Sequence, residues 1–111
     1  MRVSGVVFNG AVTSSVNSSE FKVADFENVL VVIEAQARTG SVSVVAQLQY
    51  SVDDVNWYNS LAAATSAITG ASSTAIQAGK VASEVPGILA RVALTVTGSG
   101  SIPMAITIVA K

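Results

Sequence analysis

The chain has 111 residues and a net charge of −1, only 12% of its residues are charged, and it contains no His and no Cys. This length suits one domain with its own core, and we expect residues 1–111 to form a single β-sandwich domain. The missing Cys excludes disulfides and thiol chemistry, the missing His removes the usual catalytic base, and the scattered Lys and Arg residues argue against nucleic acid or an anionic membrane as a partner.

The first part of the chain carries weak strand signals. Residues 6–8 are apolar, and the Asn-Gly pair at residues 9–10 is typical of a turn. Residues 21–23 alternate apolar and charged side chains, which predicts a short strand before a polar break at residues 25–28. Residues 1–20 as a whole are interpreted either as an edge strand or as an extended N-terminal arm.

The clearest signals are two alternating windows, residues 28–38 and residues 42–52. Their apolar positions are Val29, Val31, Ile33, Ala35, Ala37, Val42, Val44, Ala46, Leu48, Tyr50 and Val52. A period of two indicates a strand with one buried face. Because only residues 39–41 separate the windows, we predict that the two strands form a hairpin.

A tight turn is predicted at residues 53–56, followed by a return strand at residues 57–61. Asp53 and Asp54 are interpreted as turn formers, since short acidic side chains bond nearby backbone groups. The alternatives are an acid/base pair of carboxylates, or a Ca²⁺ site that includes Asn56, for which three oxygen donors within four residues are a poor fraction of the ligands required.

The aromatic pair Trp57 and Tyr58 should face opposite sides of the return strand. We expect Trp57 to fill the core. The alternative is that one of the two rings stacks on a sugar or anchors a protein contact, and a flat platform shared with Tyr50 would favour that alternative.

Residues 62–83 consist mostly of Ala, Ser, Thr, Gly and Ile. They predict a loop with a helical turn near residues 61–64 and one short strand at residues 74–78, on a sheet edge. Such a segment has little to bury and is expected to become ordered against a neighbour.

Residues 88–96 and 102–110 alternate again, and the Gly-Ser pairs at residues 98–101 predict a turn that joins them in a C-terminal hairpin. Pro103 has no N–H and should lie near a strand start or on an edge. Arg91 is expected either on a solvated face or in a cross-strand ion pair with Glu34 or Asp25.

Seven or eight strands with short turns and no 3.6-residue period predict an all-β fold, a two-sheet antiparallel β-sandwich that is jelly-roll-like. We assign no catalytic, cofactor-binding or metal-ligating residue and expect no cofactor. No apolar run reaches the ~20 residues of a membrane span, and the N-terminus lacks the pattern of a signal peptide.

Residues 48–58 and 89–98, with residues 105–109, carry a Gln-Tyr-Ser strand, an Asp/Asn turn, a Trp, an Ala/Ser/Thr-rich passage and a closing Arg-bearing segment. Over residues 28–110 this pattern resembles small virion proteins of tailed bacteriophages, most of all the head decoration or capsid-stapling proteins. The resemblance implies a β-sandwich of jelly-roll character that binds the outside of an icosahedral head and has no catalytic residues.

From the residues and the resemblance together we expect a non-enzymatic virion protein, assembled in the host cytoplasm, that lies on the capsid surface. The expected partners are the major capsid protein and further copies of the chain, as a dimer or trimer. The alternative is a carbohydrate- or receptor-binding module of a phage tail or fibre.

Overall fold

The structure is a computed structural model that describes residues 3–22, 28–60, 64–79 and 89–110. These residues form ten strands and no helix, so none of them lies in a helix that could cross a membrane. The strands are β1 (Val3–Val12), β2 (Val16–Asn17), β3 (Phe21–Lys22), β4 (Asn28–Ala35), β5 (Thr39–Gly40), β6 (Ser43–Ser51), β7 (Trp57–Asn59), β8 (Ser72–Gly79), β9 (Leu89–Thr97) and β10 (Gly100–Ala110).

The strands form two antiparallel sheets that pack against each other. The first sheet has the order β1-β10-β4-β8, with β5 beside β10, and the second has the order β2-β9-β6-β7, with β3 beside β9. Four pairings form one long antiparallel ribbon: β1 with β10, β2 and β3 with β9, β4 with β8, and β6 with β7. When this ribbon wraps around the core, β10 comes to lie beside β4 and β9 beside β6, which gives the observed strand order. That arrangement is a jelly roll, and the predicted β-sandwich is confirmed.

The core lies between the sheets and is built from the alternating positions. Val31 and Ile33 on β4, Leu48 on β6, and Ile106 and Ile108 on β10 are completely buried. Burial of each such side chain contributes about 1.5–3 kcal/mol. The alternation predicted for both windows is confirmed, except at Ala37 and Val52, which are exposed because β4 ends at Ala35 and β6 ends at Ser51.

The two predicted hairpins, between residues 28–38 and 42–52 and between residues 88–96 and 102–110, are both wrong. β4 lies in the first sheet and β6 in the second, and the same holds for β10 and β9, so residues 39–41 and 98–101 cross between the sheets. The two crossings touch, because the Ser41 N–H donates to the Ser99 carbonyl at 2.8 Å. Gly40, Gly98 and Gly100 have φ values of 75°, 82° and 125°, which favour glycine at these corners.

The N-terminal strand differs from its prediction as well. The Asn-Gly pair at residues 9–10 lies inside β1, where Asn9 is paired with Ala105 and Gly10 with Met104, so the predicted turn is wrong. β1 is an edge strand of the first sheet and pairs with β10 from Val3 to Val12, with one bulge between Val6 and Phe8.

Two further predictions concern the outer parts of the sheets. The short strand at residues 74–78 is confirmed as part of β8, at the edge of the first sheet. Pro103 lies near the start of β10, where the Gln36 N–H donates to its carbonyl at 2.9 Å, just beyond the end of β4. Because the N–H and C=O of a strand residue point to the same side, the missing N–H of Pro103 costs the reciprocal bond to the Gln36 carbonyl and breaks no bond to β1.

Some predicted features lie outside the described residues. They are Val23 with most of the polar break that follows it, residues 61–63 of the helical turn, and residues 80–88, which include the start of the window at residues 88–96.

Candidate functional site

The loop between β6 and β7 is held by the carboxylate of Asp53. This group accepts hydrogen bonds from the N–H groups of Val55 at 3.0 Å and Asn56 at 2.8 Å, from the Asn56 side chain at 2.9 Å and from the Ser51 hydroxyl at 3.1 Å. The backbone bonds from Asn56 and Val55, which favour the charged form, hold the pKa of Asp53 well below its ordinary value. Asp53 is therefore the turn former that the sequence predicted.

The second aspartate of this loop meets a residue that sequence reasoning did not select. Asp54 has a backbone φ of 62°. A hydrogen bond with the Asp54 side chain raises the pKa of Glu20 above its ordinary value. Desolvation and the negative charge of Asp54 raise this pKa further, and the positive charge of Arg91 lowers it. The acid/base alternative paired Asp53 with Asp54, but the Asp53 carboxylate is occupied by hydrogen bonds within the turn, so it is not available as a general base.

The acidic side chains of the described residues do not form a metal site either. Both carboxylate oxygens of Asp53 are engaged within the turn, and the described part of the chain has no group of three His, Cys, Asp or Glu side chains that could hold an ion.

Trp57 does not fill the core, contrary to the prediction. It lies half-buried on the outward face of the second sheet, where the Arg91 guanidinium carbon is 4.1 Å from its ring centroid. The Arg91 Nε donates to Gln49 at 3.0 Å, and the Gln49 amide donates to Asn59 at 3.0 Å. We call Trp57, Arg91, Gln49 and Asn59 the Trp57 cluster.

Of the two alternatives for Arg91, the outward face of the sheet is the one where it lies, and it is half-buried there. The ion pair with Glu34 is absent, because Glu34 lies on β4 in the first sheet and Arg91 on β9 in the second, while Asp25 lies outside the described residues. Gln49 and Arg91 are direct partners in the pairing of β6 with β9. Sequence reasoning missed Gln49 and Asn59 because it paired the Arg91 strand with residues 102–110 instead.

The aromatic rings do not form a flat platform. Tyr50 is 1% exposed and belongs to the core, while Tyr58 is 41% exposed. Their ring centroids are 6.2 Å apart and their planes are tilted by 52°. The shared surface of Trp57, Tyr58 and Tyr50 that would favour sugar binding is therefore absent.

The outward face of the first sheet has a different character, which we call the apolar face. It is formed by Val6, Leu30, Val32, Ala75, Ala105, Thr107 and Val109. Val6, Thr107, Val32 and Ala75 lie in one row across all four strands, and Val6 is 65% exposed. The only charged residue in β1, β4, β8 and β10 is Glu34.

A shallow depression lies at one end of the apolar face. It has a volume of about 520 Å³, and its lining includes Asn9, Glu34, Ser73, Pro103 and Ala105. The lining joins small side chains to a few polar groups, with Glu34 as its single charged residue.

No protein-family model matches the chain, and no curated protein matches it in sequence. Solved structures do resemble it. The SPBc2 prophage-derived protein YomS matches with a TM-score of 0.58 and 13% identity over 98% of this chain and 93% of that protein.

A structure of infectious bursal disease virus, Gx strain, matches with a TM-score of 0.55 and 11% identity over 98% of this chain and 30% of the viral chain. At these identities the likeness shows a shared β-sandwich fold.

Proposed function

We propose that this protein is a non-enzymatic structural protein of a tailed-bacteriophage virion, which lies on the capsid surface and stabilises the head by binding the major capsid protein. The observation that carries the proposal is the apolar face, a solvent-facing side of a four-stranded sheet with one charged residue. Contiguous exposed apolar surface marks protein interaction sites.

The composition of the face suits repeated, modest contacts. Most of its side chains are Val, Leu, Ala and Thr, which lose little rotamer freedom on burial. Val6 at its margin is 65% exposed, and Leu30, Val32 and Val109 are half-buried. When many copies bind one shell, their binding free energies combine, so the attachment is strong although the contact made by each single copy is modest. The shared fold with a prophage-derived protein and a viral chain is consistent with this role.

The proposal is tested by co-sedimentation of the purified protein with empty heads of the phage that encodes it. Val6→Lys places a charge on the apolar face at a site that is already 65% exposed, so we expect a folded protein whose head binding is weakened about 10-fold or more.

The matched control is Val55→Lys, since Val55 is 77% exposed in the loop that precedes β7. This variant should sediment with heads as the unchanged protein does. Equal binding by all three proteins, or binding by none, would contradict the assignment of the apolar face.

A second candidate, a carbohydrate- or receptor-binding module, is favoured by the Trp57 cluster. It combines an outward-facing, half-buried indole with planar hydrogen-bonding side chains, a combination that suits sugar rings. Binding of the protein to glycans but not to heads, abolished by Trp57→Ala, would support this candidate and overturn the first.

A further inference from the structure

Among the described residues, β8 is the last strand of the first sheet and has no strand on its outer side. It pairs with β4 without interruption over eight residues, from Asn28↔Gly79 to Ala35↔Ser72. The backbone hydrogen bonds from the described residues to β8 all come from β4. The strand contains no charge and no proline, which are two of the features that natural edge strands use to prevent pairing with another chain.

The register identifies which backbone groups face outward. The Gln36 N–H donates to the Pro103 carbonyl on β10. Along a strand, successive residues direct their backbone N–H and C=O groups to opposite neighbours. Glu34 and Val32 therefore also bond to β10, and Ile33 bonds to β8. The residues of β8 that bond to β4 are therefore the even-numbered ones. Ser73, Ala75, Gln77 and Gly79 direct their N–H and C=O groups away from the sheet.

The other edge of the same sheet is closed to this kind of pairing. β1 is interrupted by a bulge between Val6 and Phe8, and the Val7 carbonyl at that point accepts a hydrogen bond from the Ser19 N–H at 2.8 Å. Bulges and covered groups are devices that prevent edge-to-edge pairing. A head-to-tail stack of copies, β1 against β8, is therefore disfavoured.

We infer that β8 pairs antiparallel with β8 of a second copy of this chain, about a two-fold axis at Ala75, to give a closed dimer with one continuous eight-stranded sheet. In this register Ala75 faces its own counterpart and Ser73 faces Gln77, which gives about six backbone hydrogen bonds between the copies.

Two properties of the strand fit a second copy as the occupant. Like strands meet without charge repulsion because β8 has no ionisable side chain, and a two-fold contact is self-complementary and closes after two copies. The pairing also makes the two apolar faces continuous. The inference does not depend on the proposed function, because it concerns the edge of the sheet and is measured without heads.

The first test is the molar mass of the full chain by analytical ultracentrifugation at increasing concentration. We expect a monomer that converts to a dimer, and no larger species. Ala75→Pro removes an outward N–H from each copy and leaves the bonds to β4 intact, so it should weaken the dimer about 30-fold. Trp57 fluorescence reports whether this variant is folded.

A cysteine test avoids the proline, and the absence of native Cys makes it unambiguous. Ala75→Cys should oxidise to a covalent dimer, since facing residues of antiparallel strands lie within disulfide range. The matched control is Ala105→Cys, on the apolar face but on the central strand β10, which should stay monomeric on a non-reducing gel.

Three results would overturn the inference. They are a monomer at every concentration, a trimer, or cross-linking of Ala105→Cys as efficient as that of Ala75→Cys. The last result would indicate that copies meet through their faces.

Discussion

At the scale of single residues, Asp53 shows how one side chain can specify a connection. Its carboxylate accepts hydrogen bonds from the N–H groups of Val55 and Asn56. The Ser51 hydroxyl accepts a further hydrogen bond from the Asp54 N–H at 2.9 Å. These bonds need only short-range sequence, which is why the turn could be predicted. The position of Trp57 could not be predicted, because its side of the strand depends on where β7 meets β6.

The lowered pKa of Asp53 has a consequence for stability. A carboxylate whose native pKa lies below its unfolded value stabilises the fold above the ordinary value of 3.8, and this contribution is lost as the pH falls toward the native pKa. We expect Asp53→Asn to lower the thermal midpoint at pH 7, and the difference from the unchanged protein to shrink below about pH 4.

Thermal unfolding followed by circular dichroism between pH 7 and pH 3 measures this difference. The control is Asp54→Asn, because asparagine tolerates the positive φ of 62° at this position and the change removes the carboxyl contact with Glu20. A constant difference for Asp53→Asn over the whole range would show that its charge contributes nothing.

At the scale of elements, the sequence predicted strands far better than their partners. Alternation located β4, β6, β9 and β10, because a period of two follows directly from one buried face. It did not show that residues 39–41 and 98–101 cross between sheets, since a three- or four-residue Gly-Ser segment suits a hairpin and a corner equally. The Trp57 cluster depends on those pairings and was missed for that reason.

The corner glycines give a prediction at this scale. A Cβ at Gly98 would lie 2.6 Å from the Ser41 carbonyl oxygen at φ +82°, so Gly98→Ala should destabilise the fold by about 1–3 kcal/mol. At Gly10, in β1, a Cβ would meet nothing within 4 Å. Gly10→Ala should be neutral or stabilising by up to about 1 kcal/mol.

Urea unfolding of both variants against the unchanged protein checks the pair. Equal free energies of unfolding for Gly98→Ala and Gly10→Ala would mean that the corner tolerates a side chain.

At the scale of the whole molecule, the first and last strands hold each other in place. β1 pairs with β10 over nearly its full length, and it contributes Val7 and Val12 to the core. Removal of residues 1–12 should therefore abolish cooperative unfolding, because it strips one edge of β10 and opens the core. An N-terminal arm would behave otherwise, and its removal would cost binding alone.

Circular dichroism and thermal unfolding of the truncated chain distinguish these outcomes, with Val6→Lys as the variant that alters the surface of β1 and keeps its backbone. A truncated chain that unfolds cooperatively near the original midpoint would contradict the edge-strand interpretation.

The same pairing places Val3 directly beside Ala110. Polypeptide attached before the first strand or after the last one therefore leaves the sandwich at a single corner. A peptide fused to either terminus would be presented at the same location, and a short linker between the termini would allow the chain to be cut open elsewhere, which makes this fold suitable for circular permutation and for surface display.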